Sequence, residues 1–191
     1  MEKINQKYKK AKKEIDNLTK HSSSTIEYSH SQSVLKWLLK LKPNADIALR
    51  ISALGHDIDR SYGQPVKRDN FKTYNEFKMK HAARSAQILR SILEKLDFPN
   101  EIIEKVIYLV ENHEVGQEGD VKILKEADSL SFFENNLEHY METRPGYIKD
   151  KIKFMYSRLS PEAKKLVKRI KFKSPNIKKL VFEVIKEIDK I

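Results

Sequence analysis

ISALGHDIDR, Ile51–Arg60, is an apolar run with helical spacing that ends in an imidazole and a carboxylate side by side, His56 and Asp57. Working outward, a helix is expected over about residues 45–57. Pro43 interrupts the chain before it and Asn44 is placed to cap its start. After it, DRSYGQPVKRDNFKTY reads as a long loop, and loops of this length often carry function. Further upstream, Ile4, Tyr8, Ala11, Ile15 and Leu18 recur three or four apart and give a helix over residues 2–20. HSSSTIEY follows as a loop, then a helix from about Thr25 to Leu41. Downstream, helices are expected at about 73–96, 100–114, 120–142, 147–157, 161–171 and 175–190. Asn100 and Ser160 stand where caps are needed, and EVGQEGD is a glycine-containing break. No run reads as a strand. The class is all-α: a single-domain helical bundle with additional C-terminal helices.

Composition narrows the chemistry. The chain has 191 residues, enough for one domain with a real core, and 34% of them are charged. No apolar run approaches the roughly 18 residues that cross a membrane, and the charged N-terminus lacks the apolar centre of a secretory signal. A cytoplasmic location with no membrane partner is the expectation. Cysteine is absent, so any metal must be held by His, Asp or Glu. Net charge is +11, and residues 149–191 hold 14 Lys and Arg against 5 Asp and Glu. That balance fits a solvated lysine-rich surface, or attraction of an anionic substrate or nucleic acid.

The inward faces carry the main signal. His30 shares a helical face with Val34, Trp37, Leu38 and Leu41, and His56 with Leu49, Ser52 and Ala53. His81 lies with Phe77, Ser85 and Ile88; His113 with Val106, Leu109 and Val110; Asp128 with Leu124, Ser131 and Phe132. One inward His is ordinarily a hydrogen-bonded core residue. An inward carboxylate is costly unless it finds a cation. Four His and two Asp directed inward from five helices are satisfied together by one metal site, with one ion, or two ions sharing a carboxylate.

In their order, these residues resemble the HD superfamily of metal-dependent phosphohydrolases. YSHSQSVLKWLLKL resembles its first motif, ALRISALGHDIDR its His-Asp signature and LKEADSLSFFE its terminal Asp motif, so the resemblance covers about residues 25–135. It implies a metal site of His30, His56, Asp57 and Asp128. His81 and His113 then match the additional histidines of two-metal members, with Asp57 as bridge. It also implies phosphoester hydrolysis by a metal-activated hydroxide, with one or two ions of Mn, Fe, Co, Ni or Zn. The stretch from about Ala48 to Phe172 also resembles an uncharacterised HD-related family whose metal residues are often degraded; here all are present. On this reading residues 1–24 form a basic helix and loop packed on the core, 25–140 the metal-binding core, and 141–191 a basic helical extension.

Secondary roles follow. Arg60, three after Asp57, stands where related hydrolases often carry a phosphate-contacting Lys, or it is a surface residue paired with Asp59. Lys67 and Arg68 in the long loop, and Lys80 and Arg84 beside His81, are substrate-binding candidates, each with a plain surface alternative. Glu114 either shuttles protons or simply ends a helix. His21 and His139 read as surface residues, and Trp37, Phe132 and Phe133 as core. The helices after Met141 offer no ligand cluster and are expected to pack outside the metal core or to make a dimer contact. The leading expectation is hydrolysis of a nucleotide or other small phosphate ester. The alternatives are a diiron oxygenase of the HD-like fold, and a nucleic-acid or acidic-partner binding module with a structural metal and the C-terminal region as its grip.

Overall fold

The structure, a computed structural model, describes residues 2–22, 24 and 26–189. Among them are ten α-helices and no strand: α1 (Glu2–Lys20), α2 (Ile26–Leu41), α3 (Ile47–Gly55), α4 (Tyr74–Lys95), α5 (Asn100–Asn112), α6 (Gly119–Ser131), α7 (Leu137–Thr143), α8 (Ile148–Ser157), α9 (Pro161–Val167) and α10 (Pro175–Ile188). None of the described helices is long and apolar enough to cross a membrane. The expected starting residue of the second helix, Thr25, and the expected end of the last, Lys190, lie outside the described residues.

The short helix α3 organises the molecule. All its residues from Ala48 to Gly55 are buried except Arg50, so it is apolar nearly all round and must sit inside. Leu49 and Ala53 face one core cluster, built with α2, α6 and the C-terminal helices. Ala48, Ile51 and Leu54 face a second, built with α1, α4 and α5. The end of α3 therefore falls in the middle of the bundle, and His56 and Asp57 follow that end directly. This is why the two groups named at the outset are interior. Their turn leads into a single 3₁₀ turn, Ile58–Ser61.

Several boundaries differ from the sequence expectation. Asp46, not Asn44, caps α3, its carboxylate accepting from Leu49 N at 2.9 Å. Asn100 is the first helical residue of α5, and Pro99 holds the cap position without a side-chain bond. Ser160 does cap α9, but that helix ends at Val167 instead of continuing to 171. Tighter turn bonds there, Arg169 N to Leu166 O and Ile170 N to Val167 O, tuck Ile170 into the core. The expected helix 120–142 is interrupted by a π-helical turn, Phe132–Asn136. The turn brings the Glu134 carboxylate against α2, where it accepts from Ser33 Oγ at 2.6 Å, from Trp37 Nε1 at 3.0 Å and from Lys36.

The break between α5 and α6 is set by close approach. A Cβ on Gly116 would stand 2.1 Å from Val121 Cγ1 and 2.8 Å from Val121 Cβ, and Val121 is itself buried. Gly116→Ala is therefore expected to destabilise the fold by about 1–3 kcal/mol. Thermal unfolding would register this as a drop of several degrees, roughly 2–4 °C per kcal/mol at this chain length. An unchanged midpoint would show that α6 can shift to make room.

Candidate metal centre

The structure brings His30, His56, Asp57, His81, His113 and Asp128 to one place where the two core clusters meet. Nε2 of His30 is 3.4 Å from Asp128 Oδ1 and 4.0 Å from Asp57 Oδ2. Nε2 of His56 is 3.7 and 3.9 Å from the same two oxygens. His30, His56 and Asp57 offer ligand atoms that all lie within 4.8 Å of one another, a group that could hold a metal ion.

Hydrogen bonds on the far side of each ring fix which nitrogen faces the centre. Nδ1 of His56 lies 3.3 Å from Ala53 O, and Nδ1 of His113 lies 2.6 Å from Val110 O. A carbonyl only accepts, so Nδ1 carries the proton and donates, and Nε2 is left to face inward. In His30, Nδ1 bonds the Ser131 hydroxyl at 2.8 Å. His56 Nε2 is buried and has no hydrogen-bond partner among the described residues. Its separations from the carboxylates are too long for a hydrogen bond. They suit ligands sharing one cation, because atoms each about 2.0–2.2 Å from an ion lie about 3–4 Å apart. The residues present therefore fit a divalent metal.

Electrostatics agree. Burial would raise the Asp57 carboxyl, but Arg60 and the neighbouring His56 and His81 outweigh it and hold Asp57 well below the usual carboxylate range. Burial would likewise raise Asp128, and Arg158 with His30 and His56 hold it well below. Burial opposes charge on His56, yet the two carboxylates outweigh it and push His56 up. The centre thus draws positive charge. Burial pushes His113 down, which keeps its ring neutral.

His81 differs from the other three histidines. Its Nε2 is 2.7 Å from Asp57 Oδ1 and its Nδ1 is 2.8 Å from Asp59 Oδ2. Burial would lower it, but the two carboxylates between which it is held raise it to about 9. Asp59 is fully buried and also pairs with Arg84 at 2.7 Å. From sequence alone Asp59 is expected only as a surface partner of Arg60. In the structure Arg60 instead meets Asp57 Oδ2, at 3.1 Å.

The centre opens into a cavity of about 490 Å³, a size typical of small-ligand pockets. Arg60, Arg68 and Glu114 line it; Lys67, Lys80 and Arg84 do not. Arg68 is exposed and donates to Phe71 O at 2.7 Å. Lys67 and Lys80 are exposed. Arg84 is spent on Asp59 and on the carbonyls of Tyr62 and Gln64, where it pins the long loop. Glu114 stands just past the end of α5, Oε1 3.8 Å from His113 Nε2, with Oε2 buried and without a hydrogen bond among the described residues. His139, read as surface, is exposed at the cavity rim.

The sequence reading missed Arg158, Lys151 and Lys78. Arg158 follows α8 and donates from Nη1 to Asp128 Oδ2 at 2.9 Å. Lys151, on α8, lines the same cavity. Lys78 is buried, with Nζ 3.8 Å from Glu114 Oε2. The C-terminal helices, expected to pack outside the core, do enlarge one core cluster, but α8 also forms a wall of the cavity. In a chain with 38 Lys and Arg, nothing local marks these three as interior.

A family model described as "Domain of unknown function (DUF4202)" matches residues 1–181. The chain is also similar to the CC-adding tRNA nucleotidyltransferase of Thermus thermophilus, with 36% identity over 87 residues. The aligned stretch is 45% of this chain and 19% of that relative, so the chain spans less than a fifth of the relative's length. No solved structure matches the chain significantly.

Proposed function

The chain belongs to the family described as a domain of unknown function (DUF4202), and since that description assigns no chemistry, we propose an activity from the site itself: metal-dependent hydrolysis of a nucleotide or other small phosphate ester, with an HD-type ligand set. The observation that carries the reading is the set of inward Nε2 atoms facing the Asp57 and Asp128 carboxylates at 3.4–4.0 Å, an arrangement that a cation satisfies. His30, His56, Asp57 and Asp128 would hold it, with His81 and His113 beside them for a second ion. A bound divalent ion of the Mn, Fe, Co, Ni or Zn group lowers the pKa of coordinated water and draws charge from a phosphoryl oxygen.

The remaining work belongs to the chain. Backbone carbonyls hold the His56 and His113 rings in one tautomer, so the ligand nitrogens need no rearrangement. Arg60 and His81 fix the two oxygens of Asp57, and Arg158 fixes Asp128. Glu114 Oε2, buried and unbonded, is an acceptor beside His113 that can take a proton from attacking water. The ligand-bearing core corresponds to residues 25–140, flanked by 1–24 and 141–191.

Elemental mass spectrometry of the purified protein is expected to find about one or two transition-metal ions per chain. The metal-loaded protein is then expected to hydrolyse at least one member of a broad phosphate-ester panel. A loaded protein inert on the whole panel ends the reading. A second reading draws support from the tRNA enzyme match and from the basic C-terminal region: the ester belongs to, or the protein docks on, RNA. RNA binding that falls steeply with salt and ignores a chelator would favour it.

A further inference from the structure

Two cations on the α8 wall are unusual for their surroundings. Arg158 is 8% exposed at its side chain, and only Nη1 is firmly engaged, on Asp128. Its Nε and Nη2 are buried without a hydrogen bond among the described residues, and the 3.7 Å from Nη2 to Glu114 Oε2 is too long to be one. A guanidinium presents five N–H donors, and leaving buried charged donors unmet is costly. Lys151 forms no ion pair or hydrogen bond among the described residues. Its ammonium instead lies 5.2–5.9 Å from the ring centres of Phe132, Tyr140 and Phe154. Such rings stabilise a cation, but they leave its hydrogen bonds unfilled.

We propose that Lys151 and Arg158 form the phosphate subsite of this cavity, and that the substrate is a phosphomonoester whose terminal phosphate spans from the Asp57–Asp128 centre to these two cations. The proposal rests on the hydrolase reading and names the substrate class for it. Both residues line the same cavity as Asp57 and Asp128. A monoester dianion brings two charges and three terminal oxygens, which match two under-used cations; a diester brings one charge and two oxygens. Burial also pushes the Lys151 ammonium below the usual lysine value, and a phosphate beside it would offset that penalty. The organic part of the ester would lie against Val66, Tyr74 and Phe77, which line the cavity from the loop and α4.

The test uses the full chain and inorganic phosphate as probe. Phosphate is titrated calorimetrically into Mn²⁺-loaded protein, as wild type, Lys151→Met, Lys151→Arg and Arg158→Lys, with metal content and thermal midpoint read on each sample. Millimolar or tighter binding is expected for the wild type. Lys151→Met should weaken it by about 10-fold or more at unchanged metal content, and Lys151→Arg should restore most of it. Arg158→Lys, which keeps the charge but loses the fork, should fall between. Dimethyl phosphate should bind far more weakly than phosphate. Wild-type affinity in Lys151→Met, no phosphate binding by the wild type, or equal affinity for dimethyl phosphate overturns the proposal. Ester turnover is scored separately. A protein that hydrolyses esters but ignores Lys151→Met sinks the subsite alone, whereas one that binds phosphate but hydrolyses nothing sinks the hydrolase reading.

Discussion

Asp57→Ala is expected to strip the protein of transition metal and to lower phosphate-ester turnover by about a thousandfold or more. Several of the charged groups at the centre meet at this carboxylate. Its Oδ2 faces His30 and His56 and also meets Arg60, while its Oδ1 holds His81. With alanine there, two inward imidazoles share a single carboxylate, Asp128. Arg60 then loses its paired carboxylate and His81 keeps only Asp59, and the potential that draws a cation is weakened. Elemental analysis and initial rates on the same preparation check both halves. Wild-type metal stoichiometry in the variant would mean that the ion sits elsewhere. Metal loss with full turnover would detach the ion from the chemistry.

The largest effect on stability is expected at Trp37, far from any charge transfer. Its side chain is 2% exposed, at the heart of the cluster that α2 forms with α3, α6 and the C-terminal helices. Trp37→Ala removes the ring and the bond from Nε1 to Glu134, for a cost of about 3–5 kcal/mol. Glu134 would keep Ser33 and Lys36, so the unmet-acceptor part of that cost is small and the cavity part dominates. Trp37→Phe, which refills most of the space, should cost less than half as much. Denaturant titration of the three proteins measures the difference. A Phe variant as unstable as the Ala variant would put the weight on the hydrogen bond.

The helical class was legible because apolar residues recur at helical spacing in nearly every segment, and the lone long loop carries glycine, proline and clustered polar residues. The convergence of the four His and two Asp side chains was legible for a related reason: an inward His or Asp on an apolar stripe has few ways to be satisfied. Asp59 escaped because it stands at the start of what reads as a solvent-facing loop, whereas a 3₁₀ turn folds it inward. Arg158 and Lys151 escaped because they meet the centre only through the packing of α8, across more than twenty residues of chain from Asp128. Long basic side chains at helix surfaces are the norm, so their burial is a tertiary fact without a local signature. The same holds for Lys78 and for the short α9, whose ending depends on where Ile170 packs.

The π-helical turn at Phe132–Asn136 has a consequence for how this family can diversify. A π turn spends one residue more than an α turn, so it rotates everything after it by about 100° relative to what precedes it. Tyr140 is twelve residues beyond Asp128, a step that would carry it off the Asp128 face of an uninterrupted helix. With one residue absorbed, it stands near the position of an eleventh residue, three full turns on, and lines the cavity. The two halves of this rod are thereby geared separately: the half before the turn aims Asp128 and the half after it aims a wall of the cavity. A one-residue insertion or deletion within those five positions would re-index Tyr140 and its neighbours while leaving Leu124 to Asp128 in place. The cavity wall can in this way change at a single point in the chain, with the His and Asp cluster held in place.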